Sequence, residues 1–138
     1  MIPFPAYHDV PCVGFLINHV ACGNIMFLTD SCQCGYSFPD LNHVFVECNY
    51  SDSKLIDSIN AGRVLPSQRN RLLDSHMELE SCKQTLRDND LSKVVNIVLL
   101  HLSSNNSDEP LFVSEVEKLT GKVVYAAKPG LNISLNRF

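Results

Sequence analysis

The stretch Val94-Val-Asn-Ile-Val-Leu-Leu-His-Leu-Ser-Ser-Asn-Asn-Ser-Asp108 decides how the chain reads. Six of its first seven residues are apolar, a histidine follows, and a polar loop begins at once. A short apolar run without polar alternation is the pattern of a strand buried on both faces, which belongs in the middle of a sheet. A histidine at the end of such a strand sits where α/β proteins assemble their sites.

Working outward from that strand, Glu78 to Arg87 reads as a helix, begun near Asp74 or Ser75 and ended by Asp-Asn-Asp. On the other side, Leu111, Phe112, Val116 and Leu119 give Glu109 to Leu119 helical spacing, and Gly121 closes it. Val123 to Ala127 is a further strand, and Leu131 to Leu135 alternates as an edge strand would. Towards the N-terminus, Val13 to Val20 and Ile25 to Thr29 are apolar runs joined by Ala-Cys-Gly-Asn, a hairpin signature. Val44 to Val46, extended to Cys48, is a third strand, and Ser53 to Ala61 has helical spacing at Leu55, Ile56 and Ile59 with Gly62 as a stop. This order predicts an α/β fold with one sheet and helices mainly on one face, formed by residues 1–138 as a single domain. No internal repeat interrupts it, and Ser103 to Pro110 is the only linker-like stretch.

Composition narrows the class. With 138 residues, 45% hydrophobic and 19% charged, the chain matches a soluble globular domain able to bury a modest core. No apolar run reaches the length of a membrane span, and Met-Ile-Pro-Phe-Pro-Ala at the start lacks the pattern of a signal peptide, so a cytoplasmic location is expected, with no membrane partner. The net charge is −4, and Arg63, Arg69 and Arg71 form the only positive cluster, which disfavours nucleic acid as a lone partner. The six cysteines are expected as reduced thiols, since the core does not need staples. Cys32 and Cys34 make only a Cys-x-Cys, without the second pair of a structural zinc site.

Four polar residues stand out against this frame. His8 precedes the first apolar run, Asp30 ends the second, His76 lies in a loop before a helix, and His101 ends the central strand. Strand ends on one edge of a sheet converge, and His and Asp supply the nitrogen and oxygen donors that zinc, manganese or iron accept. Each of the four taken singly also has an ordinary structural role: a histidine bonded to a backbone carbonyl, or an aspartate capping a turn. His19 and His43, within or beside strands, read as structural.

The segments HDVPCVGFLI, IMFLTD, HVFVECNY, SHMELE and IVLLHLSSNNSD, in that order, resemble the C-terminal half of a metallo-β-lactamase-fold hydrolase of the ribonuclease Z and nuclease-like branch. The likeness covers nearly the whole chain; its motifs are weak singly, and their order and spacing are fairly specific. It implies that His8 is a ligand of one metal, that Asp30 bridges two, and that His101 is a ligand of the second. It makes His76 similar to the catalytic histidine that assists the leaving group or orients phosphate. The implied cofactor is a pair of zinc or manganese ions, and the implied chemistry is metal-dependent phosphodiester hydrolysis.

The family's His-x-His-x-Asp-His segment does not occur here; Met1 stands seven residues before His8. Half the metal ligands are thus absent, and weak metal binding and inactivity of the lone chain are expected. The resemblance also implies that one sheet face, with Phe15, Ile17, Phe27, Val98 and Leu100, is left for a partner: a second copy, making a dimer, or a separately encoded N-terminal half. Nucleic acid enters only with the complete assembly. The alternatives are a non-catalytic binding or assembly module, and an unrelated α/β domain with structural histidines.

Overall fold

The computed structural model describes residues 1–137. Six strands lie side by side in chain order: β1 (Ile2–Pro5), β2 (Val13–His19), β3 (Gly23–Leu28), β4 (Leu41–Glu47), β5 (Asn96–Leu100) and β6 (Val123–Ala126). The pairs β1–β2 and β2–β3 are antiparallel, and β3 to β6 run parallel. Antiparallel neighbours need only a tight turn, whereas parallel ones need a crossover. The crossovers hold α1 (Asp52–Asn60), α2 (Gln68–Ser75) and α3 (Leu79–Arg87) between β4 and β5, and α4 (Glu109–Thr120) between β5 and β6. Parallel strands added in chain order by crossovers of one hand place their helices on one face.

That face holds the core. Met26, Leu28, Val44, Val46, Ile97, Leu99 and Val124 pack with Leu79, Cys82 and Leu86 of α3 and Phe112 and Val116 of α4. Local chemistry fixes the ends of α4: the Asp108 carboxylate accepts from Leu111 N at 3.1 Å, and Gly121 closes the helix at φ 68°. The expected hairpin forms through Val20, Ala21 and Cys22, with His19 opposite Gly23 at φ 77°. Among the described residues, no helix is long and apolar enough to cross a membrane, and the six cysteines are free thiols.

The sequence reading needs three corrections. Strand β1 was not anticipated, because Ile-Pro-Phe-Pro carries two residues without an N–H; only an edge strand tolerates them. Helix α2 was missed because Gln-Arg-Asn-Arg-Leu-Leu-Asp-Ser has no apolar stripe long enough to signal a buried face. Leu131 to Leu135 forms no strand. The C-terminal stretch instead meets side chains on the sheet face opposite the helices: His43 Nε2 lies 2.7 Å from Leu135 O, and Asn96 Nδ2 donates to Ser134 O at 2.8 Å. That face is therefore less open than expected. Val98 is 1% exposed, and Phe15, Ile17, Phe27 and Leu100 are half-buried.

Gly23 tests the hairpin. A Cβ there would come within 2.0 Å of Asn42 Oδ1 in a left-handed backbone, whereas Gly62, at φ 76°, has open space around it. Gly23→Ala is expected to lower stability in urea unfolding by more than the ~1–3 kcal/mol that left-handed strain alone costs. Gly62→Ala should show the strain alone.

Candidate metal centre

The parallel register brings three strand ends together. Leu28 pairs with Val46, and Glu47 pairs with Leu100. Asp30 follows β3, Glu47 ends β4, and His101 follows β5, so all three stand at one edge of the sheet. The fourth member, His76, arrives from the junction between α2 and α3. That junction is tied to the chain after β4 by backbone bonds from Asn49 N to Met77 O and from Leu79 N to Tyr50 O, both 2.8 Å.

Glu47 is the group they share. Its side chain is 0% exposed. Oε1 accepts from Asp30 N at 2.9 Å and from the Thr29 hydroxyl at 3.2 Å, and lies 3.0 Å from His101 Nδ1. Oε2 accepts from Met77 N at 2.6 Å and lies 3.2 Å from His76 Nδ1. Burial alone would raise the Glu47 pKa, but the hydrogen bonds from His76 and from the backbone of Met77 and Asp30 outweigh it and hold the carboxyl below its usual range. The same bond to Glu47 raises the pKa of His76 against its own burial, helped by the negative charge of Glu47, Asp30 and Asp9.

An ionised carboxylate only accepts, so both histidines present Nδ1–H to Glu47. In a neutral ring the lone pair is then on Nε2, the atom a metal takes, with a carboxylate behind the ring. The two rings meet edge to face at 4.8 Å. Asp30 Oδ1 is 3.3 Å from His101 Nδ1, and its side chain is 43% exposed. Ligand atoms of Asp30, Glu47, His76 and His101 all lie within 4.8 Å of one another. Because both Glu47 oxygens are already occupied by protein donors, Glu47 orients the histidines. The Asp30 carboxylate and the ring nitrogen of each histidine not bound to Glu47 remain as donors of the types a metal ion accepts.

Asp30 and His101 both have left-handed backbones, at φ 52° and 58°. Such conformations cost free energy in residues other than glycine and persist where surroundings enforce them. Here Glu47 holds the Asp30 N–H, and Asn49 Nδ2 donates to His101 O at 2.7 Å.

His8 stands apart from this group. Its Nδ1 donates to Ser75 O at 2.9 Å, its Nε2 is 3.1 Å from Asp9 Oδ1, and its ring is 5.8 Å from that of His76. It lines the same cavity as Asp30 and His76, yet both its nitrogens already face protein acceptors. His43 is fully buried and Cys32 and Cys34 lie outside the candidate group. Glu47 was not singled out from the sequence. The available signal was a lone acidic residue closing the apolar run Val-Phe-Val-Glu47, where a surface strand end has no need of one.

The chain matches no protein-family model and no curated protein. Among solved structures it is similar to the metallo-β-lactamase fold protein YhfI from Bacillus subtilis, with a TM-score of 0.60 and 16% identity over 94% of this chain and 46% of that one. At this identity the likeness shows the fold: an α/β fold with one mixed six-stranded sheet and four helices, similar to a metallo-β-lactamase-fold protein. The chain spans less than half the length of that protein.

Removing the charge of Glu47 leaves its donors unmatched. Glu47→Gln is expected to destabilise the metal-free chain by about 3 kcal/mol, the scale for breaking a buried pair, in urea unfolding.

The pH dependence of the metal-free chain has two limbs. Glu47, with a depressed pKa, stabilises the fold above its unfolded value, and that stability is lost as pH falls through the folded value. His76, with a raised pKa, stabilises fully below its unfolded value, and that stability is lost as pH rises through the folded value. The urea midpoint should therefore fall on both sides of a maximum lying between the usual carboxylate and histidine ranges. In His76→Asn the alkaline fall attributable to this pair should vanish.

Proposed function

We propose that this chain carries one half of a hydrolytic metal centre of the metallo-β-lactamase type, closest in its motifs to the ribonuclease Z and nuclease-like branch. The observation that supports this most directly is the use of one buried carboxylate to fix Nδ1 of both His76 and His101, with the Asp30 carboxylate 3.3 Å from His101 Nδ1. A metal-ligating histidine gives its other ring N–H to a carboxylate, which is the bond His101 makes to Glu47, and the same carboxylate orients His76 for proton transfer.

In this reading Asp30 and His101 would hold metal, zinc or manganese, and His8 would join them as a ligand on release of its Nε2 from Asp9. When bound, the metal would supply Lewis-acid stabilisation of a phosphodiester and a water of lowered pKa. His76, raised in pKa and held by Glu47, stands as the proton donor to a leaving oxygen.

The ligands still required would come from a segment outside these 138 residues, on the same polypeptide or another, and that segment would lie against the half-buried face with Phe15, Phe27 and Leu100. Alone, the chain would act as a binding and assembly module. The occupied nitrogens of His8 favour that second reading for the isolated chain.

Metal uptake tests the centre without requiring activity. Cobalt titration followed by visible absorbance should show weak binding to the purified chain, reduced at least tenfold in Asp30→Ala and in His101→Ala. Unchanged binding in both variants would sink the metal reading. Turnover of bis(p-nitrophenyl) phosphate with zinc or manganese should be at background. Turnover abolished by Asp30→Ala would show that the chain completes its own centre.

The half-buried face leads to a second expectation. Covering ~600 Å² of apolar surface would contribute roughly 15 kcal/mol, against an association cost of about 4 to 15 kcal/mol. Light scattering at micromolar concentration should therefore give a mass above the 15.4 kDa of one chain. A monomer mass would overturn self-association through this face.

A further inference from the structure

The sheet face opposite the helices carries rows of side chains that cross from strand to strand. Phe15, Phe27, Phe45, Val98 and Tyr125 stand in register in one row, and Ile17, Ile25, His43, Asn96 and Val123 in the next. The four aromatic residues of the first row are half-buried. In the second row His43 is 0% and Asn96 7% exposed, although these are its polar members. Both are bonded to the segment 131–137, which crosses this face without forming a strand. Along it Leu131, Ile133 and Leu135 are half-buried, and Asn132, Ser134 and Asn136 are exposed.

A face that needs only burial is served by apolar residues, whereas a buried histidine and asparagine need hydrogen-bond partners. Theirs are two successive carbonyls of the segment. A carbonyl only accepts, so His43 Nε2 carries its hydrogen and donates to Leu135 O at 2.7 Å, and Asn96 Nδ2 donates to Ser134 O at 2.8 Å. In the neutral ring Nδ1 is then the acceptor, and Asn96 Nδ2 lies 3.4 Å from it. Where the segment reaches the β2–β3 hairpin, Arg137 N donates to Ala21 O at 3.1 Å. His43 and Asn96 thus form a clip on the backbone of an extended chain.

The clip works while His43 is neutral. A second proton would place a charge beneath the segment, away from water, and would set Nδ1–H against the Asn96 amide hydrogens. No acid is placed to offset that charge. The flanking strands β3 and β5 carry no titratable side chain. Strand β2 carries His19 at its end, the hairpin Cys22, β6 Tyr125 and the segment Arg137, while Glu47 closes β4 at the other end with its oxygens occupied. Burial pushes the His43 pKa down, against the Leu135 and Cys22 carbonyls, which pull it up. We propose that residues 131–137 are an acid-released strap: His43 and Asn96 clip it shut while the imidazole is neutral, and protonation of His43 frees it, opening the covered row beside the aromatic row as one continuous face. The strap stands on its own contacts; only what docks on the opened face, the ligand-bearing segment, rests on the metal-centre reading.

Because the closed state holds His43 below its ordinary range, opening should set in as pH falls through that range. Nitrogen-15 relaxation of the metal-free chain reads this residue by residue, on either side of the usual histidine pKa of about 6.5. At about pH 8 the segment should be as rigid as the sheet, with order parameters of about 0.85, and at about pH 5 it should fall below about 0.6. The core positions Leu99 and Val116 should not change. The ring nitrogens of His43, followed on the same samples, should titrate with the midpoint of the loosening. His43→Gln, which keeps an amide N–H at every pH, should leave the segment rigid throughout, and Asn96→Leu should loosen it throughout. If Asn96→Leu does not fold, agreement of the two midpoints in the unaltered chain still decides. The strap is overturned by a segment already loose at about pH 8, by one still rigid after His43 has titrated, or by a ring neutral down to about pH 5. Equal loosening in His43→Gln, or loss of the core signals together with the segment, overturns it too. Cobalt uptake is read on separate samples, so a failed strap leaves the metal centre standing and failed uptake leaves the strap.

Discussion

The buried carboxylate of Glu47 is the interaction on which the rest of this structure depends. A carboxylate removed from water costs several kcal/mol unless its lone pairs are filled, and breaking its pairing exposes that full cost. Five donors fill the pairs here, and they come from three places far apart in sequence: Thr29 and Asp30, His76 and Met77, and His101. Each donor fixes a loop that local propensity alone would leave free. The end of β3, the α2–α3 junction and the end of β5 are thereby held to one point at the end of β4. The centre is organised by the protein before any ligand arrives, which is the condition for side chains to meet a metal without rearrangement.

That organisation also explains where strain is located. Asp30 and His101, two of the three non-glycine residues with positive φ among those described, are neighbours of Glu47. A left-handed turn immediately after a parallel strand reverses the direction of the chain while keeping the side chain close to the strand end. For His101 this leaves Nδ1 over Glu47, and the Asn49 amide braces the carbonyl that the turn would otherwise strand. Asn49 itself joins the two loops, since its N–H donates to Met77 O and its carbonyl accepts from Ser103 N, both at 2.8 Å. Strain and bracing are thus parts of one device.

The strands and the residues of the centre were legible in the sequence to different degrees. Apolar runs with β-branched residues announced β2 to β6, and Gly62 and Gly121 marked the C-terminal ends of α1 and α4, because burial and capping act locally. Asp30 and His101 could be suspected from their positions at strand ends, and His76 from its loop before a helix. Glu47 offered only a lone acid closing an apolar run, because what distinguishes it is the number of donors that converge on it, a property of the tertiary arrangement. The tail failed for a related reason: alternation in Leu131 to Leu135 is the same whether the chain adds a strand or crosses a face, and only the carbonyl acceptors offered to buried His43 and Asn96 decide between them. Helix α2, apolar only at Leu72 and Leu73, is stabilised by where it sits rather than by its own pattern.

On the proposed reading, two features of this chain have a common physical origin. At the sheet edge the Asp30 carboxylate and the His101 ring nitrogen not bound to Glu47 are fewer groups than a two-metal centre takes. The face with Phe15, Phe27 and Leu100 is only half-buried, although the tail already covers its His43 and Asn96 end. A segment that supplied further ligands at the edge would have to approach from the side not occupied by α3 and α4, and would therefore lie against this same face. Burial of the apolar face would then provide the free energy that holds the added ligands in place. Loss of that contact would weaken metal binding without altering a single donor on this chain.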